Sequence, residues 1–184
     1  LVSGDDCSDI IFTSGTTGKA KGVITTHQQN MRTFTTWSDL VGLDESDRYL
    51  IVNPFFHSFG YKAGILACLL KGCTLIPQLV FDVDEVLARI ARDKITMLPG
   101  PPTLYQSLLA HPKLNQYDLS SLTKATTGAA VIPTELIDSI RNELGITTVL
   151  TAYGLSESCG LATMCRHGDP SATIASTSGR AIPG

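Results

Sequence analysis

The sequence predicts an α/β fold, a mainly parallel sheet flanked by helices. Three observations carry this prediction. Apolar runs of strand length recur along the chain, segments of helical period separate them, and loop-type residues follow nearly every run. Strands alternating with helices in this way mark βαβ units.

The first strand candidate is the apolar run Ile10-Ile11-Phe12, followed by a glycine-rich stretch and a second short extended segment at 23–25. Thr26-x-x-Gln29 reads as a capping box that opens a helix to about Val41, with Met31, Phe34 and Val41 on one face. A strand at 49–52 precedes residues 62–71, which are apolar nearly all round, as a buried helix would be. After a strand at 74–76, the segment 82–92 groups Val83, Val86, Leu87 and Ile90 on one helical face. Residues 95–98, 124–126 and 148–151 complete the strands. Pro133 opens a helix that buries Leu136, Ile137, Ile140 and Leu144 and stops at Gly145.

At 184 residues the chain is one domain's worth, and 43% hydrophobic with 17% charged residues is an ordinary globular balance. A net charge of −3 carries no electrostatic footprint for nucleic acid or an anionic membrane surface. The chain opens at Leu1 without a basic, then apolar, leader, so no signal peptide is expected. The longest purely apolar run, 64–70, is far short of the roughly 20 residues a membrane span needs, so no integral membrane segment is expected. Five scattered cysteines match no disulfide framework and read as reduced thiols of a cytoplasmic protein. The ending GRAIPG, with no closing helix or strand, reads as a piece of a longer chain.

Laying the unusual segments over this map places them together. TSGTTG follows the first strand, NPFFHSFG the second, PGPP the run at 95–98, TGAA the run at 124–126, and YGLSE the run at 148–151. Open α/β sheets bind ligands outside the carboxyl ends of their strands. Five such segments on one edge describe a binding cleft.

TSGTTGKAKG, residues 13–22, holds three glycines and four hydroxyls in ten positions. Glycine is costly to order, so this density implies close backbone approach to a guest, and a phosphate chain is the expected one. The stretch is not a Walker A loop, because no glycine stands five residues before a G-K-[ST] sequence. It runs from strand to strand, so a nest of backbone N–H groups with hydroxyls and a lysine, rather than a helix dipole, would hold the anion.

YGLSE has two readings. Gly154-Leu155-Ser156-Glu157-Ser158 resembles the start of a nucleophile elbow, although the last position of that turn wants glycine. A serine hydrolase built on Ser156 would need His167, the sole histidine downstream. Alternatively Glu157 is a carboxylate for Mg²⁺ in a nucleotide site and Tyr153 an aromatic face for a base. An ordinary helix start capped by Ser156 is compatible with both. A module that binds ATP without acid chemistry is a further alternative. His57, beside two phenylalanines past a strand end, is either a packing residue or the lining of an organic pocket. The spacing of Cys159, Cys165 and His167 matches no zinc pattern. His27, His111, Cys7, Cys68 and Cys73 read as surface or core residues.

Together IFTSGTTGKAKG, NPFFHSFG, TGAA and YGLSE stand in the order and approximate spacing of the adenylate-forming superfamily, which the chain resembles over essentially its whole length. Acyl-CoA synthetases, luciferases and the adenylation domains of peptide synthetases belong to it. Its members join MgATP to a carboxylate, giving an acyl-adenylate and pyrophosphate, and pass the acyl group to a thiol, usually coenzyme A. The resemblance implies that Thr13, Ser14, Gly15, Thr16, Thr17, Gly18 and Lys21 surround the β- and γ-phosphates. It further implies that Gly128, Ala129 and Ala130 lie on the adenine side, with Ala129 also near the acid. Tyr153 then stacks on adenine beside Gly154, Ser156 bonds phosphate, and Glu157 is the magnesium ligand. By the same resemblance Lys21, Ser156 and Glu157 carry the catalysis, and ATP, Mg²⁺ and coenzyme A are the cofactors.

Two positions depart from the family pattern. Ser156 replaces the usual threonine but keeps the hydroxyl, and Ala20 replaces the usual proline, loosening the loop without removing its donors. His57 resembles the histidine lining the acyl pocket of many CoA ligases, which peptide-synthetase adenylation domains usually lack, and so favours an acyl-CoA ligase, expected to act on a fatty or polycyclic acid. NPFFHSFGYKAGILACLLKG with PGPPTLYQSLLAHP resembles the ligases that activate ring-derived propanoates in sterol breakdown. The chain then corresponds to the central part of the family's large N-terminal domain. A preceding subdomain, the ribose-binding aspartate, the hinge and the small C-terminal domain with its adenylation lysine are expected outside residues 1–184, and the piece alone is expected to be nearly inactive as a ligase.

Overall fold

Among the described residues (1–13, 18–128 and 130–183 of this computed structural model) the strands form two sheets. The smaller is an antiparallel hairpin of β1 (Cys7–Thr13) and β2 (Lys21–Thr26). The larger contains β3 (Arg48–Ile51), β4 (Thr74–Pro77), β5 (Met97–Pro99), β6 (Lys124–Gly128), β7 (Thr148–Tyr153), β8 (Thr163–Met164) and β9 (Arg180–Ala181). Its strand order is β4-β3-β5-β6-β7-β8-β9. The first five of these are parallel, and β8 and β9 add an antiparallel edge. The mainly parallel sheet is as the sequence predicts.

One strand is placed differently. Residues 10–12 belong to the hairpin and not to the parallel sheet. A central parallel strand is buried on both faces, whereas Ile10 and Phe12 are exposed, 53% and 72%. A three-residue apolar run cannot distinguish these two environments.

Helix α1 (His27–Val41) begins at the predicted capping box: the Thr26 N–H donates to Gln29 Oε1 at 2.9 Å and the Gln29 N–H donates to Thr26 Oγ1 at 3.3 Å. It ends at Gly42, whose φ of 75° is the left-handed conformation expected after a helix. Its inner face is Asn30, Phe34, Trp37 and Val41, while Met31 is exposed, contrary to the sequence reading. The predicted buried helix at 62–71 starts earlier, as a π-helical stretch Phe59–Leu66 that continues into α2 (Ala67–Lys71). Asp82 caps α3 (Val83–Asp93) by accepting from the Glu85 N–H at 2.9 Å. Full burial of Val86, Leu87 and Ile90 on this helix contributes about 1.5–3 kcal/mol each.

Among the described residues α4 (Pro102–Leu109), α6 (Ser171–Ser176), β8, β9 and the short 3₁₀ helix Leu114–Gln116 lie outside the sequence reading. Each is too short to show a period, though Pro102 in the first turn of α4 is a start signal. Between α4 and α6, α5 (Thr134–Asn142) follows Pro133 and buries Leu136, Ile137 and Ile140 as predicted.

The topology positions the ligand cleft. From β3 the chain crosses to β4 on one side, then returns through α3 to β5 on the other. Right-handed crossovers in opposite directions place their helices on opposite faces. Accordingly α1 packs on the π-helix and α2, while α3 to α6 pack against one another in a row. Strands β3 and β5 therefore form the switch point at which a crevice opens beyond their carboxyl ends. At the amino ends of the strands, buried Asp47 accepts from Lys124 Nζ at 2.7 Å on each oxygen and from Thr96 Oγ1 at 2.6 Å, tying together the starts of β3, β5 and β6. No helix among the described residues is long and apolar enough to cross a membrane.

Candidate active site

A cavity of about 920 Å³ fills that crevice. Asn53 and His57 reach it from the segment after β3, and Gly100 and Pro101 from the segment after β5. Gly128 lies at the end of β6, and Tyr153 to Glu157 continue from β7. The cleft predicted from loop composition is thus assembled by four consecutive strand ends and closed by the hairpin.

Thr13 and Lys21 face each other across the mouth of the hairpin, and both line the cavity. The connection between them therefore begins and ends at the cleft. Ser14, Gly15, Thr16, Thr17 and Ala129 lie outside the described residues. Gly18, with φ 86°, occupies a conformation that favours glycine. Gly18 and Ala130 are described but do not line the cavity.

Behind the cavity, the π-helix packs directly onto the His57 loop. A Cβ on Gly60 would stand 2.3 Å from the Pro54 carbonyl oxygen, so only glycine permits this contact. The His57 N–H donates to that same carbonyl at 3.1 Å, and His57 Nδ1 accepts from the Phe59 N–H at 3.1 Å. With Nδ1 accepting, the neutral ring carries its proton on Nε2.

After β7, Ser156–Ser158 forms a 3₁₀ turn. Its N-cap position is Leu155, not Ser156, and Ser158 reaches back to it: the Leu155 N–H donates to Ser158 Oγ at 3.0 Å. The cavity thus receives Ser156 and Glu157 from a turn held by Ser158 and by the Cys159 and Gly160 N–H groups, which donate to the Ser156 and Leu155 carbonyls at 3.0 Å and 2.8 Å. Glu157 and Lys21 form no ion pair among the described residues, so opposite charges border the cavity without neutralising each other.

Besides the hydroxyls of Ser58, Thr126 and Thr127, the rest of the lining is largely apolar. Phe34 and Trp37 of α1, Phe59 and Ala63 of the π-helix, and Leu161 contribute to it. Sequence reasoning did not single these out for the site, because a helix face that borders a cavity has the same period as one that borders the core. The 34, 37, 41 spacing was the available signal.

The hydrolase reading fails on position. His167 Nδ1 sits 3.3 Å from Thr148 Oγ1, at the start of β7, while Ser156 follows the end of that strand. Six residues of strand put roughly 20 Å between them. Among the described residues no group of three or more His, Cys, Asp or Glu side chains could hold a metal. The donor set at Glu157, one exposed carboxylate, suits a magnesium ion that takes its other oxygens from phosphate and water.

Comparison with known proteins agrees with this geometry. The family model described as "AMP-binding enzyme" matches residues 1–184. The chain is 52% identical over 183 residues to the 3-[(3aS,4S,7aS)-7a-methyl-1,5-dioxo-octahydro-1H-inden-4-yl]propanoyl:CoA ligase of Rhodococcus jostii (strain RHA1), covering 100% of this chain and 35% of that protein. The inhibitor-bound N-terminal domain of FACL13 from Mycobacterium tuberculosis superposes with a TM-score of 0.88 at 30% identity, over 97% of this chain and 44% of that one. The anthranilate CoA ligase AuaEII in complex with anthranoyl-AMP superposes with a TM-score of 0.84 at 26% identity, over 98% of this chain and 35% of that one. The chain thus spans about a third of the length of the Rhodococcus ligase, and its fold is that of part of the N-terminal domain in such enzymes. With an α/β sheet, a cleft at its switch point and a family match along its entire length, the chain belongs to the AMP-binding enzyme family.

Proposed function

We propose that the full-length protein is an ATP-dependent acid–CoA ligase, and that this chain is the central part of its large domain. The observation that carries the reading is one cavity lined by charged and apolar groups together: Lys21, Thr13 and Glu157 with Phe34, Trp37, Phe59 and Ala63. The charged and hydroxyl groups suit a triphosphate, and the apolar lining suits the body of an organic acid.

In this reading the segment from Thr13 to Lys21, with Ser14, Gly15, Thr16, Thr17 and Gly18, wraps the β- and γ-phosphates. Tyr153 supplies a face for adenine, with Gly128, Ala129, Ala130 and Gly154 alongside. Ser156 donates to phosphate. His57 and Ala129 border the acid, whose carboxylate attacks the α-phosphorus to give an acyl-adenylate and pyrophosphate. Coenzyme A then accepts the acyl group. Mg²⁺, held by Glu157, would offset the charge developing on the leaving pyrophosphate. Lys21 adds a positive charge that is already in place when the reaction begins, the kind of preorganisation that dominates catalysis.

The acid is proposed to be a polycyclic propanoate, as in the name of the Rhodococcus relative, with fatty acids the broader class. A cytoplasmic setting accompanies this reading, in keeping with five free thiols. Residues 1–184 alone are expected to turn over negligibly.

The test is carboxylate-dependent ATP–pyrophosphate exchange by the full-length protein with fatty, aromatic and polycyclic acids. Exchange with polycyclic propanoates is the expected result. ATP binding with no exchange across the panel would overturn the ligase reading in favour of an ATP-binding module.

A further inference from the structure

Lys62 is 1% exposed, a costly place for an ammonium group unless it is paired and hydrogen-bonded. Its Nζ lies 3.1 Å from Asp9 Oδ1 on β1 and donates to Thr25 Oγ1 on β2 at 2.9 Å. The same nitrogen reaches Cys159 Sγ at 3.8 Å. Asn30 of α1 completes the cluster, donating from Nδ2 to Asp9 Oδ2 at 2.5 Å and accepting at Oδ1 from Cys159 Sγ at 3.1 Å.

All four joined elements carry groups of the cavity. The hairpin carries Thr13 and Lys21, α1 carries Phe34 and Trp37, the π-helix carries Phe59 and Ala63, and the turn after β7 carries Ser156 and Glu157. Cys159 closes that turn two residues after Glu157, with φ 61°, a conformation that side chains other than glycine rarely adopt. Its sulfur is gripped by the cluster, so the turn cannot rotate without breaking these contacts. Stability alone does not explain the arrangement, because well-packed apolar residues can often replace a buried ion pair without loss.

Resting on the function proposed above, we infer that Lys62 is a positioning residue for adenylation: it sets the hairpin mouth with Lys21 against the turn with Glu157, touching neither ATP nor acid. The pathway is side chain to side chain, from β1 and β2 through Nζ to the sulfur of Cys159.

The test uses the full-length protein and the double variant Asp9→Asn, Lys62→Met, which removes both charges together. Thermal unfolding, amide hydrogen exchange of segment 155–160 and ATP–pyrophosphate exchange are measured side by side. The expected result is a folded variant whose 155–160 amides exchange at least about tenfold faster while those of α3 hold. Its kcat for pyrophosphate exchange falls about tenfold, with KM for the acid nearly unchanged. Wild-type protection of 155–160 together with wild-type kcat would overturn the inference. Where the double variant fails to fold, Cys159→Ala, which leaves the ion pair intact, decides by the same two readouts. A wild-type protein with no exchange activity would sink the ligase reading instead, and the protection of 155–160 would then decide the positioning role by itself.

Discussion

Gly154 and Gly160 approach so closely that a Cβ on Gly154 would stand 2.1 Å from the Gly160 carbonyl oxygen. The contact folds the turn bearing Ser156 and Glu157 back against β7. Gly154→Ala forces these backbones apart and displaces the turn as a unit. A displacement near 1 Å in a catalytic constellation costs about a hundredfold in rate, and that loss is expected in ATP–pyrophosphate exchange by the full-length variant. Wild-type turnover in a Gly154→Ala protein would show that the turn's position is unimportant.

On the proposed function, Glu157 bears on charge development, not on holding the acid. Glu157→Gln keeps the shape of the side chain and removes its charge. Adenylation should slow about a hundredfold while KM for the acid moves by less than about threefold. A variant whose affinity for the acid changes while kcat holds would overturn the phosphate-side role proposed for Glu157.

Acid stability should depend on Asp9. Burial opposes its ionised form, but hydrogen bonds from Asn30, Thr25 and Lys62, with the Lys62 charge, outweigh burial and hold the carboxyl below its ordinary 3.8. A lowered folded value means that the ionised group stabilises the protein fully above 3.8, and that this contribution drains away as the pH falls toward the folded value. Urea midpoints for wild type and Asp9→Asn should therefore differ most above about pH 5 and converge on acidification. A gap that is constant with pH would contradict the pairing.

The five thiols should differ sharply in reactivity. Cys7 is exposed, whereas Cys68, Cys159 and Cys165 are buried. Burial, with Cys73 beside it, pushes the Cys68 thiol up to about 12, which leaves almost no thiolate at pH 8. Peptide mapping after iodoacetamide treatment at pH 8 should find Cys7 alkylated first and Cys68 only after unfolding. Early labelling of Cys68 would mean that α2 opens readily from the sheet.

The strand–helix alternation, the capping box of Thr26 and Gln29, the Asp82 cap and the run of loops at strand ends were all legible in the amino-acid sequence. So were Thr13, Lys21, His57, Gly128, Tyr153, Gly154, Ser156 and Glu157 as candidates for one cleft, and the cavity gathers them. These features rest on local chemistry: turn residues, hydrogen bonds a few residues apart, and apolar periods within one element.

Only the tertiary structure decided that residues 10–12 belong to a separate hairpin, that Ser158 reaches back to Leu155 while Ser156 caps nothing among the described residues, and that Phe34 and Trp37 border a cavity as well as the core. It alone brought Lys62 to Asp9, and Asn30 to Cys159, residues far apart in the chain. The reason is physical. Period and turn chemistry state which face of an element avoids water, but not what covers that face, and a buried charge acquires its meaning from partners that the fold supplies from elsewhere in the chain.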